Sequence, residues 1–177
     1  MKTIKSLFIL LALTCIATSC INNAESHTTP QMMFGNLYVN PQFVGDSLIG
    51  AKDTLDDHYD VKLEKVYVDT LQLGDTVMFP ALFTSNTNNL VSVVATFDTV
   101  NINLWFDIDP QSAEMNKALT SASNPQEGRL YFNPMYNITT FPIYIVPQAA
   151  GSYPIKLTVT SDSDYPTYSV EFTLPVK

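Results

Sequence analysis

The chain has 177 residues, 46% of them hydrophobic, with 9 basic and 17 acidic side chains for a formal charge of −8, and it holds 2 cysteines and 2 histidines. This acidity excludes nucleic acid and anionic lipid as electrostatic partners, because neutralising phosphates takes clustered Lys and Arg and the chain has a single arginine, Arg129. The small stock of cysteine and histidine excludes a multi-cysteine metal site and leaves His58 as the one imidazole outside the N-terminal region.

Met1 to Ala17 is laid out as an export signal, with Lys2 and Lys5 ahead of an apolar run from Leu7 to Ala17. As a helix, 11 residues span about 16 Å, roughly half a bilayer core, so the run is too short for a transmembrane anchor. It ends in Ala17-Thr18-Ser19-Cys20. This tetrad resembles the lipobox of bacterial lipoproteins, with a leader like those of the Bacteroidota. The resemblance implies cleavage before Cys20, acylation of its sulfur, and a membrane partner held through the N-terminal lipid. Residues 1–19 are then a signal peptide and 20–31 a lipidated N-terminus with a flexible tether. Asn22 to Gln31 fits that role, being polar and without hydrophobic period, and His27 falls within it. Processing removes Lys2, Lys5 and Cys15, leaving 7 basic against 17 acidic side chains, a net charge of −10, and no second thiol for a disulfide. The implied location is the outer membrane. Glu25 is the only acid close behind the cysteine, so the periplasmic and cell-surface faces both stay open.

Residues 32–177 form the expected domain, long enough to bury roughly two-thirds of the unfolded surface in one core. In chain order, strands are expected over Phe34–Val39, Val61–Asp69, Thr76–Thr84 and Leu90–Phe97. Among them an Asp-Ser/Thr-aliphatic triplet recurs five times, beginning at Asp46, Asp53, Asp69, Asp75 and Asp98. Composition alone gives about one. In structural terms, Asp closes a turn and the next two residues open a strand. The triplet also resembles the O-glycosylation sequon of exported Bacteroidota proteins, which implies Ser47, Thr54, Thr70, Thr76 and Thr99 as acceptors. Asp56, Asp57 and Asp60 cluster in the same region, as do Asp107 with Asp109 and Asp162 with Asp164, but none has calcium-loop spacing. They read as solvated turns, and no metal or other cofactor is expected.

Ile102, Leu104, Phe106 and Ile108 alternate with polar neighbours, the mark of a half-buried strand. Trp105, the only tryptophan, shares its parity with Asn101, Asn103 and Asp107. An indole among amides and a carboxylate suits a glycan-binding face, with the ring on an apolar sugar face and the amides on hydroxyls. The other reading has a loop or helix covering the ring as core filling. Tyr131, Tyr136 and Tyr144 are further aromatics for such a platform. Ser112–Leu119 is the one helical stretch, with Ser112 as its cap.

Further strands are expected over Arg129–Phe132 and Ile138–Val146, and Tyr153–Thr160 with Tyr168–Val176 make a terminal hairpin. Asn137-Ile138-Thr139 matches an N-linked sequon, a pattern with little meaning in a bacterial lipoprotein. The stretch Ala149-Ala150-Gly151-Ser152-Tyr153-Pro154 resembles the tyrosine corner of immunoglobulin-like domains. With no cysteine pair, it implies the disulfide-free bacterial kind, an all-β, antiparallel Ig-like β-sandwich of about 7–9 strands with one short helix.

No nucleophile-elbow, zinc-protease, phosphate-loop or dinucleotide motif is present. Glu64, Glu114, Glu127 and Glu171 leave a two-carboxylate glycosidase open by residue type, against the little room a small sandwich has for a cleft. The expectation is therefore a non-enzymatic cell-envelope lipoprotein presenting its sandwich to a protein partner. A glycan-binding module for polysaccharide capture and a subunit of a surface filament are the alternatives.

Overall fold

A computed structural model describes residues 28–40, 42–45 and 70–177. The leader, Cys20, His27, Ser47, Thr54, His58 and the strand expected over Val61–Asp69 lie outside the described residues. The described fold is all-β, with ten strands, β1 (Gln31–Phe34), β2 (Leu37–Val39), β3 (Gln42–Gly45), β4 (Val77–Thr84), β5 (Leu90–Thr96), β6 (Ile102–Phe106), β7 (Arg129–Tyr131), β8 (Ile138–Pro147), β9 (Gly151–Ser161) and β10 (Thr167–Val176). One short helix, α1 (Met115–Ala118), and a 3-10 turn at Pro125–Glu127 lie between β6 and β7. The first sheet runs β3-β2-β4-β8-β6, with β1 also on β4; the second runs β10-β9-β5-β7. All strand pairs are antiparallel.

The two sheets close on one core because alternate residues of each strand point inward. Val77, Phe79, Ala81 and Phe83 of β4 and Phe141, Ile143 and Ile145 of β8 are buried from one side, Ile155, Leu157 and Val159 of β9 and Phe172 and Leu174 of β10 from the other. In an immunoglobulin constant domain strands A, B, E and D face C, F and G. Here β1/β2, β4, β8 and β6 take the first set of places and β5, β9 and β10 the second, with β7 added beside β5. The departure is in chain order, since β6 in one sheet precedes β7 in the other.

Two prolines face each other in the middle of the first sheet, Pro80 of β4 opposite Pro142 of β8. Neither can donate a ladder hydrogen bond, which ordinarily restricts proline to edges and bulges. The fold meets that restriction on both sides. Pro142 turns its missing donor toward the end of β6, where Asp107 N–H reaches its carbonyl at 2.9 Å. Pro80 turns its own toward the other flank, where the expected strand Phe34–Val39 is broken into β1 and β2 and shifts register against β4. Gly35 makes that break, donating its N–H to Pro80 C=O at 2.8 Å. A β-carbon there would come within 2.6 Å of Pro80 Cγ.

The tyrosine corner is present as a hydrogen bond: Tyr153 Oη donates to Ala150 C=O at 3.0 Å. Gly151 leaves room for it, since a β-carbon at that position would lie 2.8 Å from the phenol oxygen. The helix is shorter than expected. Ser112 does accept the Met115 N–H at 3.3 Å, but Leu119 leaves the helix to bridge Phe132, so only Met115–Ala118 is helical. The N-terminal boundary also differs. Pro30 is buried and Thr28 Oγ1 accepts a 2.7 Å hydrogen bond from Asn88, so the fold begins before residue 32.

Candidate functional site

The two outer faces of the sandwich differ in chemistry. On the second sheet, β9 and β10 alternate cleanly, and their outward residues are mostly polar, Lys156, Thr158, Thr160, Ser169, Glu171 and Thr173 with Pro154 and Pro175 toward one end, and Thr158 and Ser169 are hydrogen-bonded at 2.9 Å. This is a solvated surface, as one-sided antiparallel sheets require. On the first sheet the outward residues of β4 and β8 are apolar as well as the inward ones. Met78, Pro80 and Leu82 lie beside Pro142, Tyr144 and Val146, each half-buried. Continuous apolar runs such as Val77-Met78-Phe79-Pro80-Ala81-Leu82-Phe83 are the pattern of a strand covered on both faces.

Register builds an aromatic row across this face. Trp105 of β6 pairs with Tyr144 of β8, Tyr144 with Met78 of β4, and Met78 with Tyr38 of β2. The indole and the Tyr144 ring are stacked, centroids 5.0 Å apart and planes 5° from parallel. Such a contact contributes about 0.5–1.5 kcal/mol beyond burial. Tyr144 takes one face of the indole. Among the described residues β6 is the last strand of its sheet, and no described strand lies beside it on the side away from β8. Among the described residues, none of the outward positions on β1, β2, β4, β6 and β8 carries a charge.

Of the residues expected around Trp105, Asn103 and Asp107 are exposed and share its parity, Asp107 just past the end of β6. Asn101 is placed elsewhere, in the turn before β6, where its amide donates to Asp98 Oδ2 at 2.8 Å. Tyr131 belongs to β7 in the other sheet, and Tyr136 packs against the core. Only Tyr144 joins the indole.

At the open side of β6 a groove of about 530 Å³ separates the two sheets, lined by Thr96, Thr99, Asn103, Gln126, Glu127 and Arg129 over Ala95, Ile102 and Leu104. Its rim is fixed by the 3-10 turn. Gly128 follows that turn at φ +65°, and a β-carbon there would lie 2.9 Å from Ala95 and Leu104 side-chain carbons, so glycine alone lets the turn lie on the core. Arg129 and Glu127 form an ion pair at 3.2 Å on either side of it, both about half exposed, which leaves the rim without net charge.

The triplet threonines fall at strand approaches. Thr70 is exposed just ahead of Leu71, which bridges Val176. Thr76 is half-buried, its N–H donated to Asn40 Oδ1 at 2.8 Å, and Asp75 Oδ2 closes a turn on Gln72 N–H at 2.7 Å before β4 begins. Asp98 behaves differently from the expected strand opener. Its carboxylate holds Asn101 Nδ2 and the Val100 N–H, and these bonds, the Asn101 amide first, draw its pKa below the ordinary aspartate value. The charged form thus holds the turn at neutral pH and lets go only in acid. Thr99 and Val100 stay at the exposed tip, and β6 starts two residues later.

Among the described residues, no group of three or more His, Cys, Asp or Glu is placed to hold a metal, and no helix is long and apolar enough to cross a membrane. No family model matches the chain, and no curated protein does. Among solved structures it is similar to a family 123 glycoside hydrolase from Clostridium perfringens, at 17% identity and TM-score 0.41, over 84% of this chain and 27% of that one. It is also similar to a FixG-related protein from Vibrio parahaemolyticus, at 8% identity and TM-score 0.37, over 84% of this chain and 96% of that one. A third likeness, to the cupredoxin domain of amoB from Nitrosocaldus yellowstonii, has 8% identity and TM-score 0.33 over 58% of this chain and 56% of that one.

Proposed function

We propose that the protein is a non-enzymatic, lipid-anchored component of the cell envelope whose sandwich docks another envelope protein through the outer face of its first sheet. The observation that carries this reading is the chemistry of β4 and β8, apolar on both parities and uncharged outside, in a chain that is strongly acidic elsewhere. Burying such a face gains about 25 cal/mol per Å² without desolvating a charge.

The test is photo-crosslinking in intact cells from a benzophenone side chain placed at Tyr144, with Thr173 on the opposite outer face as the reference. A discrete crosslinked species is expected from Tyr144, weakened at least tenfold by Leu82→Glu, which sets a carboxylate on the same face. Equal crosslinking from both faces, or none from Tyr144, rejects the reading.

The groove supports a second reading, a glycan-binding module. Its planar polar side chains, balanced charge and the half-buried indole of Trp105 beside it suit a neutral saccharide. Saturable binding of a neutral tetrasaccharide that disappears in both Arg129→Ala and Trp105→Ala supports this reading over the first; binding unchanged in both removes it.

A further inference from the structure

The strands place three loops and the start of the described chain at one end of the sandwich. Ser85–Asn89 joins β4 to β5, Phe132–Asn137 joins β7 to β8, and Asp162–Pro166 joins β9 to β10. Hydrogen bonds tie them into one platform. Asn89 donates its N–H and its amide to the two oxygens of Asp162, each at 2.7 Å, and its own amide oxygen accepts the Met135 N–H at 2.9 Å. Asn88 reaches Thr28 at 2.7 Å, and Asn137 reaches Asn86 C=O at 2.7 Å.

This platform holds an apolar side chain out into solvent. Met135 is 89% exposed, and its backbone has φ +88°, a conformation that bulky residues rarely adopt. Tyr165 at 60% and Ile138 at 57% exposure flank the same end. The platform loops contain no lysine or arginine, and Asp162 and Asp164 are their only charges. Water is a poor partner for a methionine fixed in this way, and folding gains nothing from the contact it lacks.

We infer that this end of the sandwich, with Met135 at its tip, rests in the interfacial layer of the membrane that holds the lipid anchor. The inference builds on the proposed acylation of Cys20. Residues 21–27 reach at most about 25 Å even fully extended. The ten-residue β10 alone spans about 33 Å, so the tether is shorter than the sandwich is long, and the end carrying Thr28 stays nearest the bilayer. With no cation on the platform, the contact depends on apolar side chains and not on anionic headgroups.

The processed, acylated chain offers a direct test, because with Cys15 removed and Cys20 acylated Met135→Cys introduces its only free thiol. An environment-sensitive fluorophore attached there, with the chain reconstituted in phosphatidylcholine vesicles, should shift to the blue. Nitroxide-labelled lipid should quench it several-fold more than the same dye at Val100→Cys, a residue 81% exposed at the opposite end. Equal, water-like behaviour at both sites on a chain that floats with the vesicles overturns the inference and leaves the anchor standing. A chain that fails to float rejects the anchor and the inference together. A blue shift that needs an added protein and not the vesicle also overturns it.

Discussion

Replacing Phe79 by alanine should destabilise the domain by about 3–5 kcal/mol, the range for emptying a buried aromatic site. Phe79 is fully buried in the central strand β4. Its ring meets Phe34 of β1 edge-on at 5.6 Å and Phe172 of β10 edge-on at 6.2 Å, so one side chain joins the edge strand, the centre of the first sheet and the last strand of the second. Few neighbours can move to fill the space, because Phe83, Ile143 and Ile155 around the same core are themselves fully buried. Against a total of roughly 5–15 kcal/mol for a domain, this loss leaves a large unfolded fraction. Urea titration followed by Trp105 fluorescence should show the midpoint falling by about 1–3 M with the slope unchanged. Phe79→Leu keeps most of the volume and should shift it by less than half as much. A midpoint within error of the parent for Phe79→Ala would mean that β10 does not close over β4 as described.

The same strands show what the sequence reveals and what it hides. Alternation over Tyr153–Thr160 and Tyr168–Val176 marks β9 and β10 to within two residues, because each has one wet face and one dry face. The tyrosine corner is equally readable, since its hydrogen bond runs between residues three apart. The chemistry of the first sheet's outer face is harder to read. Parity along β6 groups Trp105 with Asn101, Asn103 and Asp107 and predicts a polar setting. The ring's actual neighbour is Tyr144, placed beside it by pairing with a strand more than thirty residues away. Asn101 leaves the group because Asp98, three residues earlier, competes for its amide. A local clue exists all the same. In Phe141-Pro142-Ile143-Tyr144-Ile145-Val146-Pro147 both parities are apolar, which reads as a strand dry on both faces. The groove has no such clue, because Arg129 and Glu127 come together with Asn103 only through the two-sheet closure and the left-handed Gly128.

Cys20→Ala should move the protein wholly from the membrane fraction to the soluble one and abolish its labelling by an alkynyl fatty acid, the second large effect expected. Each acyl CH₂ buried contributes about 0.8 kcal/mol, and two or more chains make attachment effectively permanent where one chain binds only marginally. The apolar run from Leu7 to Ala17 is about half the length that spans a bilayer, so an uncleaved leader would hold the protein poorly. The platform around Met135 adds a few side chains that gain at most about 1.5–3 kcal/mol each when fully buried, enough to orient a tethered domain and too little to retain a free one. The two contributions therefore separate by experiment. Cys20→Ala should release the chain whatever Met135 does, whereas Met135→Asp should leave it anchored, fully labelled by fatty acid, and free to tilt away from the bilayer. A Cys20→Ala chain still in the membrane fraction would assign the attachment to the protein surface and reject acylation as its cause.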